Sequence, residues 1–311
     1  MLKTPLNQKI EHFLLTANEV ELFIKREDLI HPQISGNKFR KLKYNINEAK
    51  KLKHKTILTF GGAYSNHISA TAAAGKHYGF STIGIIRGEE LGNDIEKTLA
   101  TNSTLAFAKE QGMQLHFVSR GDYKLKETPE FIKQLENRFG DFYLVPEGGT
   151  NELAIKGCEE ILTHEDHSFD YICCAVGTGG TISGLINAAK THQKVIGFPA
   201  LKENYLHEEI SKNVTNTNWE LNRFHHLGGY AKYNEDLILF MNSFFKNQKI
   251  LLDPIYTGKL LMGIFHEIKL GKFTKKKRIL AVHTGGLQGI AGINQKLKNK
   301  HAQIINTHHE I

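Results

Sequence analysis

An α/β fold with two open, mainly parallel twisted sheets and helices on both faces is predicted by three observations. Short β-branched or apolar runs recur along the chain, helical apolar stripes separate them, and Gly-rich polar turns join several runs to the stripes that follow. The candidate strands span residues 22–24, 56–60, 82–86, 115–118, 142–145, 171–176, 194–198 and 278–282. Phe39, Leu42, Ile46 and Ala49 form one helical stripe. Leu237, Phe240, Met241, Phe244 and Phe245 form a second, and Leu261, Ile264, Phe265 and Ile268 a third. An Ala-rich helix is expected over 68–78. Strands that alternate with helices pair in parallel and are covered on both faces. The 311 residues suffice for two modest domains. The units within 56–145 form one sheet and those from 171 onward a second, while the first 45 residues fit either.

The composition excludes several classes. Hydrophobic content of 40% and charged content of 23% are ordinary for a globular protein. No apolar run reaches membrane-spanning length, and the first residues lack the n-region, h-region and cleavage site of a signal peptide. A cytoplasmic protein with no membrane partner is expected. Cys158, Cys173 and Cys174 are odd in number and form no C-x-x-C pair, which argues against a disulfide framework or a zinc site, and Cys173 and Cys174, inside an apolar run, read as buried small side chains. The net charge is +8, but the basic runs 50–55 and 275–278 are not interleaved with aromatics. They read as solvated turns, and no nucleic-acid partner is expected. His164, His167, His225 and His226 match no metal-ligand spacing and read as solvated loop histidines, so no metal is expected.

The chemistry is concentrated in a few turns. Gly36-Asn37-Lys38 puts a lysine at the start of a helix. A lysine in a pocket near apolar or cationic groups has a lowered pKa and forms a Schiff base with an aldehyde. In Gly61-Gly62-Ala63-Tyr64-Ser65-Asn66-His67, Ser65 or Asn66 caps the following helix, whose N-terminus suits a substrate carboxylate. Ser65 could then act on a substrate proton. The turn Gly177, Thr178, Gly179, Gly180, Thr181 lets backbone N–H groups and two hydroxyls converge on one anion. Ile182 stands where a dinucleotide fingerprint needs its third glycine, so a monophosphate fits better. Asp253-Pro254-Ile255-Tyr256-Thr257-Gly258-Lys259 and His283-Thr284-Gly285-Gly286 complete the set. A tyrosine there can stack on a heteroaromatic ring, and a threonine hydroxyl can meet a pyridine nitrogen. Each turn alone is also a common capping or βα turn. Together they are the parts needed to hold pyridoxal 5'-phosphate.

In this order the segments resemble the pyridoxal-phosphate family containing D-cysteine desulfhydrase and 1-aminocyclopropane-1-carboxylate deaminase, within the tryptophan-synthase-β-like group. The resemblance runs from Lys25-Arg26-Glu27-Asp28 to Gly286. It implies a cofactor between a small domain at 46–155 and a large one of 1–45 and 156–311. Lys38 would carry the cofactor, Asn66 would touch its ring hydroxyl, and Gly177, Thr178, Gly179, Gly180 and Thr181 would hold its phosphate. Tyr256 would lie against the ring, and Thr257 or Thr284 would face the ring nitrogen. Lys38, Ser65 and Tyr256 form the implied catalytic set; Ser65, Asn66, His67 and Tyr230 would meet a small amino-acid substrate. A homodimer is implied too. The deaminases carry glutamate where this chain has Thr257. A hydroxyl supports a weaker electron sink, so β-elimination of D-cysteine to pyruvate, ammonia and sulfide is favoured. The alternatives are deamination of 1-aminocyclopropane-1-carboxylate to 2-oxobutanoate, and a non-catalytic regulatory protein that binds the cofactor. Ser35 and the segment 61–64 also depart from the family pattern, on the expected substrate side.

Overall fold

A computed structural model of the chain describes residues 4–202 and 205–307. Six strands form one sheet, in the order β1 (Asn7–Ile10), β2 (Glu21–Lys25), β10 (Arg278–Val282), β7 (Tyr171–Val176), β8 (Lys194–Pro199) and β9 (Trp219–Leu221). Only β1 is antiparallel to its neighbour. Four strands form the other: β5 (Gln114–Val118), β4 (Ser81–Arg87), β3 (Thr56–Gly62) and β6 (Tyr143–Val145), all parallel.

The eight expected strands are present, two with the expected bounds and the rest with ends shifted by at most two residues. The central ones are written as continuous apolar runs because helices cover both faces. In β7 every residue after Tyr171 is buried. Cys173 and Cys174 are fully buried there, and burial pushes both thiols far above the usual range. They fill space. Two strands were not expected. β1 buries only Ile10, and β9 buries none of its three residues. Both lie at sheet edges, where pairing comes from a neighbour and leaves little apolar pattern.

The helices begin where their caps dictate. Ser65 caps the helix Asn66–Tyr78 by accepting the His67 and Ile68 N–H groups, and Gly79 ends it at φ 78°. Ala70, Ala72, Ala73 and Ala74 keep it thin against its neighbours. The domain edges expected at 45/46 and 155/156 fall within the helices Asn37–Lys51 and Glu152–Glu159. These two pack so closely that a Cβ on Gly157 would lie 2.0 Å from the Arg40 carbonyl oxygen.

Two histidine clusters have different fates. His164 and His167 are exposed, as expected, but Asp166 between them is fully buried. It accepts hydrogen bonds from Lys25 Nζ and Asn7 Nδ2 at 2.7 Å each, tying the 164–168 turn to the sheet. His225 is not a solvated loop histidine. Its side chain is 15% exposed and lies 3.0 Å from Glu267. Among the described residues no helix is long and apolar enough to cross a membrane.

Candidate active site

A cavity of about 530 Å³ opens at the C-terminal ends of β3, β7 and β10, where a doubly wound sheet presents its loops. Its walls come from Asn37, Lys38 and Lys41, from 62–67, from 175–179, and from Thr284 and Gly286. Segments far apart in sequence meet there by close backbone approach. Gly36, at φ 62°, would put a Cβ 2.0 Å from the Thr284 carbonyl oxygen, and Asn37 N–H donates to that same oxygen at 3.2 Å. A Cβ on Gly286 would stand 2.6 Å from Asn66 Nδ2, and one on Gly177 would stand 3.3 Å from the Tyr256 ring. At Gly36, where the neighbour is backbone, only glycine permits the contact.

Lys38 sits in the first turn of its helix, and its Nζ donates to the Gly148 carbonyl at 3.0 Å. Burial, then the neighbouring Lys41 charge, pulls its amine well below the ordinary lysine range. Ser65 and Asn66 line the cavity at the N-terminus of the helix that follows β3. His67 is buried and turned toward Thr59. The Thr59 hydroxyl donates to the Val145 carbonyl at 2.8 Å, so it accepts from His67 Nε2 at 2.7 Å. His67 Nδ1 then has no hydrogen-bond partner among the described residues. Burial, with Lys38 and Lys41 adding repulsion, holds the ring neutral.

The helix Gly180–Ala188 starts at the far wall, after Gly179 at φ 88°. Gly177, Thr178, Gly179 and Thr181 line the cavity at this turn. Thr178 Oγ1 pairs with Thr150 Oγ1 at 2.6 Å, and Thr181 Oγ1 accepts from Asn37 Nδ2 at 2.8 Å. Tyr256 stands against Gly177, with Tyr230 edge-on to it at 6.3 Å between ring centroids. Thr284 lines the cavity but Thr257 does not. Thr257 is fully buried, and its hydroxyl donates to Asp253 Oδ1 at 2.7 Å while accepting Asp253 N–H at 2.8 Å. That hydroxyl is therefore taken by its own turn, and of the two threonines only Thr284 lines the cavity.

Lys41 is a further cavity residue, not among those expected from the sequence. It lies one turn after Lys38 on the same helix face and is 2% exposed. Its Nζ donates to Gly148 O at 3.0 Å and Thr150 Oγ1 at 2.8 Å, and a Cβ on Gly180 would be 3.2 Å away. Burial lowers its pKa to about 8. The i, i+3 spacing was the available signal. Arg87 and Glu147, also at the cavity, gave none.

This donor set fits a pyridoxal phosphate. A helix N-terminus, two hydroxyls and a buried ammonium line one cavity as a phosphate requires, and beside them stands an amine with no carboxylate partner among the described residues. The chain belongs to the family of pyridoxal-phosphate-dependent enzymes, whose profile matches residues 2–285. It is 31% identical over 300 residues to the mitochondrial bifunctional D-cysteine desulfhydrase/1-aminocyclopropane-1-carboxylate deaminase of Arabidopsis thaliana, across 88% of this chain and 74% of that one. It is 26% identical over 291 residues to the D-cysteine desulfhydrase of Klebsiella pneumoniae, across 86% and 87% of the two chains. A crystal structure of an ACC deaminase homologue superposes with a TM-score of 0.81 at 26% identity, over 96% of this chain and 94% of its own. The protein is an enzyme, and the non-catalytic reading is set aside.

Proposed function

We propose that the chain catalyses β-elimination and deamination of a small amino acid, with D-cysteine giving pyruvate, ammonia and sulfide. One observation carries the choice of substrate. Thr284 offers the cavity a neutral hydroxyl. The nearby Asp253 carboxylate is already engaged by the N–H groups of Ile255, Tyr256 and Thr257 and by the Thr257 hydroxyl. A hydroxyl does not hold a ring nitrogen protonated as a carboxylate does, which favours a substrate whose Cβ substituent leaves readily.

Gly177, Thr178, Gly179, Gly180, Thr181 and Lys41 would hold the phosphate, Asn66 and Tyr256 the ring, and Lys38 the aldehyde carbon. When bound, the cofactor supplies an electron sink for the charge left at the substrate Cα. Lys38, whose pKa is lowered by burial and by the Lys41 charge, would take the Cα proton. Ser65 accepts the His67 and Ile68 N–H groups through its oxygen, which leaves its own proton free to meet the substrate carboxylate. The positive end of the helix Asn66–Tyr78 favours that anion. Tyr230 and the half-buried Tyr256 ring, packed edge to face beside the cavity, would narrow its opening. A cytoplasmic homodimer is part of this reading, checked by size-exclusion chromatography and fractionation.

The Arabidopsis relative carries both activities in its name, which supports 1-aminocyclopropane-1-carboxylate as the second reading. The test is 2-oxo-acid release from D-cysteine, L-cysteine and 1-aminocyclopropane-1-carboxylate, each supplied alone. Pyruvate from D-cysteine supports the proposal. 2-Oxobutanoate from the cyclopropane, without pyruvate from D-cysteine, replaces it. Lys38→Ala should abolish turnover and the borohydride-fixed cofactor on its peptide. Turnover close to the parent's would remove Lys38 from its role.

A further inference from the structure

We propose that His225, His266 and Glu267 bind a divalent transition metal, Zn²⁺ by donor chemistry, and that the ion fastens the segment carrying Tyr230 to the helix Thr257–Lys269. His225 Nε2 is 3.0 Å and His266 Nδ1 is 3.8 Å from Glu267 Oε1. One ligand atom from each residue lies within 4.8 Å of the other two. A circle through three points at those separations has a radius of at most about 2.4 Å, against roughly 2.0–2.2 Å for Zn–N and Zn–O bonds. A contraction of a few tenths of an ångström closes the site.

The parts needed for that contraction are present. His266 is 55% exposed and has room to swing inward. His225 and Glu267, at 15% and 13%, form the fixed half. The His225 ring packs against Phe198 at 6.0 Å between centroids and against His266 at 5.2 Å. Two imidazoles and one carboxylate suit zinc, copper or nickel, whereas magnesium and calcium select oxygen donors. Water completes the fourth position.

The location gives the site its consequence. His225 belongs to the stretch between β9 and the helix Glu235–Gln248, which also carries Tyr230. Four of its residues have positive φ: Leu227 at 53°, Gly228 at 92°, Gly229 at 120° and Ala231 at 54°. Such a turn persists because its surroundings hold it. The helix Thr257–Lys269 already grips it once, where Lys259 Nζ donates to His226 O at 2.9 Å and Gly229 O at 2.8 Å. Two turns further along the same helix, His266 and Glu267 make the second grip. An ion there replaces one hydrogen bond with three coordinate bonds. Tyr230 at the cavity mouth is then held from both sides.

The test uses untagged holoenzyme freed of metal with a chelator. Zn²⁺ is titrated by calorimetry, and Co²⁺ in parallel for its visible absorption. One ion per chain is expected, with His225→Gln and His266→Gln each weakening binding beyond the roughly 10–100-fold typical of losing an outer-shell partner. His164→Gln, at an exposed histidine elsewhere, should leave it unchanged. His266→Gln alters an exposed side chain, so the variant remains folded for the comparison. Absence of stoichiometric binding at 100-fold excess, or a His266→Gln titration that overlays the parent's, overturns the site. Hydrogen exchange across 222–231 reads the fastening. Slowing by Zn²⁺ in the parent and not in His266→Gln supports it, and equal exchange with and without Zn²⁺ refutes it.

Discussion

Replacing Lys41 with methionine should strengthen the cofactor-free protein while weakening its hold on the cofactor. Lys41 is 2% exposed, and burial lowers its pKa from 10.5 to about 8. At about 1.4 kcal/mol per unit, the buried ammonium costs the empty protein roughly 3 kcal/mol at pH 7. The sign follows from proton counts. The unfolded chain binds the proton up to pH 10.5 and the folded chain only to about 8, so the cost is whole below pH 8. It shrinks between those values and is gone above them. Methionine removes two hydrogen bonds, worth about 1 kcal/mol each. Neither acceptor is orphaned, because Gly148 O keeps Lys38 Nζ and Thr150 Oγ1 keeps Thr178 Oγ1. The empty variant should therefore gain about 1 kcal/mol at pH 7, a gain that vanishes at about pH 9 and becomes a loss of about 1 kcal/mol by pH 10. A bound phosphate loses a charge-assisted hydrogen bond of roughly 1.5–3 kcal/mol, so cofactor affinity should fall roughly 10- to 100-fold. Urea unfolding of cofactor-free protein at pH 7 and pH 10 measures the first effect, and fluorescence titration with pyridoxal phosphate the second. An empty variant that is clearly less stable at pH 7, with unchanged cofactor affinity, would make Lys41 a structural brace and refute the reasoning.

Gly36→Ala forces a Cβ to within 2.0 Å of the Thr284 carbonyl at φ 62°. It should cost about 3 kcal/mol or more and release the cofactor, read as a lower Tm and loss of cofactor absorption. Thr257→Val keeps the shape but removes the hydroxyl between Asp253 Oδ1 and Asp253 N–H. A loss of about 1–3 kcal/mol in unfolding experiments, largely restored by Thr257→Ser, is expected. A drop in kcat with stability intact would instead return Thr257 to the ring. Lys259→Met removes both bonds to the 226–229 turn. Backbone exchange there should quicken and the substrate KM should rise, whereas unchanged exchange would mean the turn holds itself.

The parts of the fold legible in the sequence are those buried on both sides. β3, β4, β7 and β10 are continuous apolar runs because helices cover each face, and a run of that kind admits few other readings. β1 and β9 were invisible because an edge strand of three or four half-exposed residues is defined by its partner. The site divides the same way. Ser65 was readable as a cap and Lys38 as the lysine after a glycine turn, since both depend on near neighbours. Thr150 was not, because its contact with Thr178 spans two loops. Lys41 carried an i, i+3 signal that is lost in a chain with 40 lysines and arginines. His225 meets Glu267 across 42 residues, a pairing no local spacing announces.

Thr257 holds the sharper lesson, because it moves the question of substrate. As a letter beside Tyr256 it stood for the group facing the ring nitrogen. In the fold it closes the turn headed by Asp253, with both sides of its hydroxyl occupied. Under the proposed function, discrimination would rest on groups that reach the cavity. Thr284 is one, and at the mouth Tyr64, Arg87, Glu147 and Tyr230 are others. Glu147 faces Lys126 at 3.4 Å, while the Arg87 guanidinium lies over the Tyr123 ring at 5.6 Å. A guanidinium so placed keeps its charge available to an anion. β-Elimination from cysteine generates one at Cβ, a departing thiolate, beside the carboxylate expected at Ser65. Opening a cyclopropane breaks a carbon–carbon bond and releases no anion there. Under the proposed β-elimination, Arg87 would meet the departing thiolate, and Arg87→Gln should then lower turnover of D-cysteine more than that of 1-aminocyclopropane-1-carboxylate.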